Sequence, residues 1–121
     1  MTVFKRGDIV LIGFPFTDLS GSKQRPALVI SANRYNKKRD DIILAAITSH
    51  ISGNTEEDEY LLSPLDQKLA GLPKQSLVKL GKLVTIDQRL IRKRLGHISS
   101  TTQSLIRNIL HEIIWIPVKI F

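Results

Sequence analysis

Ile42-Ile43-Leu44-Ala45-Ala46-Ile47-Thr48 is seven residues without a charge, bracketed by Asp40-Asp41 on one side and Ser49-His50 on the other. The run is too short for a buried helix and rich in β-branched side chains. It predicts a strand covered on both faces, and hence the centre of a sheet. Upstream, Pro26 to Ser31 (PALVIS) predicts a second strand, with proline at its first residue, where no ladder donor is lost. Asp8 to Phe14 (DIVLIGF) predicts another, stopped by Pro15. Between them, Phe14 to Lys23 combines Pro, Asp, Ser and Gly and predicts a long turn or loop.

Downstream, Glu59 to Leu62 predicts a fourth strand behind the acidic run Glu56-Glu57-Asp58-Glu59, itself expected as a solvated loop. Ser63 to Gly71 holds a single helical turn. Ser76 to Leu80 alternates Leu77 and Lys79 against Val78 and Leu80, a half-buried strand with lysine facing out, and Leu83 to Ile86 continues it. Thr85-Ile86-Asp87 is expected to cap a short helix running to Leu95, with Gly96 as its left-handed stop. A last helix starts at Ser99 or Ser100, where Ser100-Thr101-Thr102-Gln103 matches a capping box, and Pro117 ends it. Leu105, Ile106, Ile109, Leu110, Ile113 and Ile114 form its apolar stripe. The whole is a mostly β, α+β fold: a strongly curved sheet or small barrel with a C-terminal amphipathic helix against it. Residues 1–121 make one domain.

The bulk properties limit what such a fold does. A 42% apolar content fits a globular chain. No cysteine is present, so disulfides and thiolate metal sites are excluded, which fits a reducing cytoplasm. The N-terminus lacks a signal-peptide pattern, and no apolar stretch is long enough to span a bilayer. A soluble cytoplasmic protein with no membrane association is expected. Eighteen Lys and Arg against eleven Asp and Glu give a charge of +7, which favours polyanions, nucleic acid above all. The cations are grouped: Lys79, Lys82, Arg89, Arg92, Lys93 and Arg94 in one stretch, Lys23, Arg25, Arg34, Lys37, Lys38 and Arg39 in another.

Familiar catalytic motifs are missing. His50, His97 and His111 are far apart and have no carboxylates at ligand spacing, so no metal and no cofactor are expected. Two strand ends remain. Arg25 precedes Pro26, which biases it to an extended conformation at the mouth of a strand. Thr48 ends the central strand, and His50 shares its face. A guanidinium, a hydroxyl and an imidazole on one rim suit RNA cleavage, in which the substrate's 2′-hydroxyl is the nucleophile. Arginine holds two phosphate oxygens and stays protonated, and threonine donates to a non-bridging oxygen. His50 is a candidate general base or a base-stacking contact.

Gly7-Asp8-Ile9-Val10-Leu11, Phe14-Pro15-Phe16-Thr17-Asp18-Leu19 and Lys23-Gln24-Arg25-Pro26-Ala27-Leu28-Val29-Ile30-Ser31 together resemble the opening of MazF/PemK-like toxins. Ile47-Thr48-Ser49, Leu83 to Ile91 and Leu95 to Ser99 are similar to the later blocks of that family, in order. In one of them Val84 stands where an arginine is often found. The resemblance implies an SH3-like β-barrel, a homodimer, and the toxin half of a type II toxin-antitoxin system. It implies a metal-independent, sequence-specific endoribonuclease that cuts single-stranded RNA, leaving 2′,3′-cyclic phosphate and 5′-hydroxyl ends. A cognate antitoxin would occupy the RNA groove. Arg25 and Thr48 match the family's two catalytic positions, and Phe14 to Gln24 would be a flap near the substrate. Lys23, Gln24, Ser49, His50 and Lys79 are the candidates for RNA contact. The alternative is a nucleic-acid-binding barrel without catalysis, or a relative with another target.

Overall fold

The computed structural model describes residues 3–13 and 24–115. In chain order the elements are β1 (Asp8–Gly13), β2 (Gln24–Val29), α1 (Asn33–Lys38), β3 (Asp41–Thr48), β4 (Glu59–Leu61), α2 (Pro64–Leu69), β5 (Leu77–Asp87), a 3-10 turn (Gln88–Leu90), β6 (Ile91–His97) and α3 (Ser100–Ile114). The strands form one antiparallel sheet in the order β4-β5-β3-β2-β1-β6, so the uncharged run is the interior strand β3. The expected flap, the end of the first strand at Phe14 and the helix stop at Pro117 lie outside the described residues.

The sheet is curled. Three strands separate β5 from β6 in the sheet, yet only Gln88–Leu90 join them along the chain. The two ends of the sheet must therefore approach one another, although no ladder joins the edges β4 and β6 among the described residues. Curling creates two apolar layers. Ile9, Leu28, Ala45, Ile47, Val78 and Leu80 face one way, under Ile106 and the flanking Ile109, Leu110 and Ile113 of α3. Val10, Ile12, Ala27, Val29, Ile42, Leu44 and Ile86 face the other way, with Phe4.

The region 85–97 corrects the predicted helix. It is the end of β5, a 3-10 turn and the edge strand β6. Pairing with β1 decides it, placing Ile91 beside Ile12 and Arg94 beside Val10. Ile91 packs in one apolar layer and Leu95 in the other, because two register shifts in the β1–β6 ladder break the strict alternation of β6. Gly96 is there for close approach: a Cβ would collide with the Leu69 carbonyl. The left-handed helix stop is instead Gly71, at φ +71° after α2.

Helix α1 has no counterpart in the apolar pattern. The buried Asn36 holds it, donating to the carbonyls of Phe4 (3.2 Å) and Ser31 (3.1 Å) and accepting from the Ser31 hydroxyl. The cap of α3 also shifts by one residue from the expected box. Ser99 accepts from the Thr102 amide at 3.2 Å, and the Ser99 amide is taken by Asp66 of α2 at 3.1 Å. The α3 stripe is narrower than expected, since Leu105 and Ile114 stay 45% and 59% exposed.

Candidate active site

The ladder between β2 and β3 runs from Val29↔Leu44 to Ala27↔Ala46 and stops there. The next residue is Pro26, which has no N–H to continue it. Extending the register by two residues sets Arg25 opposite Thr48, the two on one face of the sheet. On the outer sides Arg25 is flanked by Ile12 of β1 and Thr48 by Leu77 of β5. A single row across the curled sheet therefore carries Leu77, Thr48, Arg25 and Ile12. The proline does more than was expected of it: it ends the β2–β3 ladder short of the level of Arg25 and Thr48.

Arg25 is half-buried, and its Nε is shielded from solvent with no hydrogen-bond partner among the described residues. An unsatisfied donor on a buried cation is costly, and groups of this kind recur at ligand sites. Thr48 is also half-buried. Its hydroxyl oxygen accepts the His50 backbone N–H at 3.1 Å, which leaves the hydroxyl proton available to a ligand. His50 thus fixes Thr48 through its backbone.

Ser49 and His50 are exposed just beyond Thr48, and Gln24 is exposed just before Arg25. These three gather with Arg25 and Thr48 at one end of the sheet. Lys23 lies outside the described residues. Lys79 is on the same face, opposite Ala46, and its ammonium pairs with Glu59 at 3.0 Å. Glu59 is the residue that the sequence hid. Read as part of a solvated acidic run, it is the first residue of β4, its side chain is only 9% exposed, and it lies opposite Lys79. The Glu56 amide, donating at 2.9 Å, and the Lys79 ammonium hold its carboxyl below the ordinary glutamate range. The alternation Glu59-Tyr60-Leu61-Leu62, with Tyr60 and Leu62 turned to the α3 layer, was the available signal.

His97 is exposed at the end of β6 and His111 on α3. Among the described residues no three His, Asp or Glu side chains come together as metal ligands, and no helix is long and apolar enough to cross a membrane.

A curled six-stranded sheet with a C-terminal helix and a polar end at β2 and β3 is a fold shared with solved toxins. A mycobacterial endoribonuclease in complex with its cognate antitoxin superposes with a TM-score of 0.75 at 21% identity, over 96% of this chain and 99% of that one. The MazE-MazF complex of Deinococcus radiodurans gives 0.75 at 23%, over 96% and 100%. Mycobacterium tuberculosis toxin MazF-mt6 gives 0.69 at 16%, over 87% and 93%. Residues 5–114 match the PemK-like, MazF-like toxin family of type II toxin-antitoxin systems, and the chain belongs to that family.

Proposed function

We propose that this toxin is a metal-independent endoribonuclease of single-stranded RNA, acting in the cytoplasm as a single-domain chain, with Arg25 and Thr48 as its catalytic pair. The observation that supports this reading is the β2–β3 register, which, extended past Pro26, brings Arg25, with a shielded Nε that has no partner among the described residues, level with Thr48, whose hydroxyl has a proton to give. The 2′-oxygen of the substrate attacks the adjacent phosphorus. A bond to the 2′-oxygen forms, the bond to the 5′-oxygen breaks, the 2′-hydroxyl loses its proton and the leaving oxygen gains one. The products are a 2′,3′-cyclic phosphate and a 5′-hydroxyl. Arg25 neutralises the charge that builds on the phosphorane and Thr48 donates to a non-bridging oxygen. A preorganised donor of this kind lowers the barrier by about 3–4 kcal/mol.

Single strands are the substrate because their bases and 2′-hydroxyls are accessible. Gln24, Ser49 and His50 surround the pair and contact the flanking nucleotides, as does Lys23. Lys79 joins them when RNA phosphate competes with Glu59 for its ammonium. A cognate antitoxin, present in the mycobacterial and Deinococcus complexes, is the expected inhibitor. Leu105 and Ile114 are exposed at the two edges of the α3 apolar stripe, and Trp115 is exposed just beyond it; a homodimer would cover apolar surface of this kind.

The test is to incubate purified protein with a mixed RNA pool in EDTA and sequence the 5′ ends. Fragments with 5′-hydroxyl ends at a recurring short sequence are expected. Salt-sensitive binding without any cutting would replace the nuclease with a nucleic-acid-binding barrel.

A further inference from the structure

A second basic surface lies beyond the proposed catalytic pair. Between α1 and the 3-10 turn is a cavity of about 700 Å³, lined by four cations (Lys37, Lys38, Arg39 and Arg89), two carboxylates (Asp40 and Asp87) and the apolar side chains of Phe4 and Ile91. Lys37, Lys38 and Arg39 are exposed, and among the described residues none has a carboxylate within ion-pair distance. Arg89 is held by Asp87 through two contacts, 3.1 Å to Oδ1 and 3.0 Å to Oδ2.

The walls are joined. The Gln88 amide donates to the carbonyls of Asn36 (2.8 Å), Arg39 (2.9 Å) and Asp41 (3.4 Å), locking the turn to the end of α1. A cavity fixed in this way needs little rearrangement to bind.

Its position says what it binds. Ile91 sits beside Ile12, which sits beside Arg25, so one end of the cavity is two strand spacings, about 10 Å, from the catalytic arginine. The other end, at Arg39, precedes Asp41 at the start of β3. Thr48 is at the far end of that strand, about 23 Å away at ~3.3 Å per residue. A partly apolar cavity with a surplus of cations, set apart from the scissile position, suits the phosphates and flat bases of the same strand farther along.

We propose that this cavity is an RNA-binding exosite that holds the single strand several nucleotides from the cleavage point. The proposal rests on the nuclease reading, and it predicts a dependence on substrate length. A minimal RNA carrying the cleavage sequence is compared with the same RNA extended by about ten nucleotides on either side, which at ~3.4 Å per stacked nucleotide outreaches the cavity. The variant is the triple substitution Lys37→Glu, Lys38→Glu and Arg39→Glu, with its fold checked by thermal melting.

For the extended RNA, KM is expected to rise about tenfold in the variant with kcat unchanged. Its salt dependence should weaken by about two log units per log unit of salt, at ~0.7 per lost phosphate contact on a single strand. Kinetics on the minimal RNA should stay as in wild type. An equal change on both RNAs would reduce the effect to the overall field, and no change on the long RNA would remove the exosite. Unchanged RNA kinetics with weakened binding of an acidic protein would assign the cavity to that protein instead. If the wild type cuts neither RNA, the nuclease reading fails. Fluorescence anisotropy of the labelled long RNA then decides the exosite separately, with a loss of affinity in the triple variant supporting it and none overturning it.

Discussion

The two ends of β3 handle polar groups in opposite ways. The ladder with β5 runs the whole strand, from Thr48↔Leu77 at one end to Asp41↔Asp87 at the other. At the Asp41 end the neighbouring backbone is satisfied as well: the carbonyls of Asn36, Arg39 and Asp41 receive the Gln88 amide, and the Gln88 N–H donates to the Asp40 carbonyl at 2.8 Å. At the Thr48 end the ladder with β2 stops short at Pro26, Arg25 keeps a shielded Nε without a partner, and Thr48 accepts one backbone N–H. One end spends its polar groups on the fold and the other holds them in reserve. The proposed catalytic role of Arg25 and Thr48 rests on that asymmetry, because a shielded donor without a partner calls for an explanation.

The comparison breaks most visibly at Arg25. Arg25→Ala is expected to lower kcat at least about 1,000-fold, read by single-turnover cleavage of a defined RNA. Its melting temperature should not fall, because the side chain removed is a half-buried charge without a described partner. A variant that still cuts, or one that unfolds, would place Arg25 in the structural class. Thr48→Val is expected to cost about 100-fold in the same assay, while Thr48→Ser keeps most of the rate. A loss in Thr48→Ser with the rate kept in Thr48→Val would mean that the methyl group, and not the hydroxyl, matters.

At the other end the order reverses. Gln88→Leu removes one donor from three carbonyls and should destabilise the fold by about 1–3 kcal/mol in urea unfolding, with cleavage of a minimal RNA per folded molecule unchanged. The smallest effect belongs to Glu59. Its carboxyl is held below the ordinary value by the Glu56 amide and Lys79, so the stabilisation is present at neutral pH and fades as pH falls through the folded-state pKa. Glu59→Gln should melt earlier than wild type at pH 7, and the difference should shrink as pH falls below the ordinary glutamate range. A gap that persists in acid would mean that the pair acts through packing.

Some of this was legible in the residues. The uncharged run ending at Thr48 determined the interior strand, because seven residues without charge bury on both faces and are too few for a core helix. The Arg25-Pro26 pair determined an extended strand mouth, and the apolar spacing in 100–114 a helix with a buried stripe. Other features were left open. The pattern from Thr85 to Leu95 is compatible with a helix, and only pairing with β1, some eighty residues away in sequence, made it turn and strand. Glu59 looked like solvent until β5 brought Lys79 across from it. Gln88 carries no local signal, and Asn36 and Asp66 reach past their own turns to the Phe4 carbonyl and the Ser99 amide. Local periodicity fixes which faces are apolar, a property each segment holds by itself. Which donor meets which acceptor depends on registers that exist only once the sheet has curled, and the placing of Arg25 opposite Thr48 was decided there.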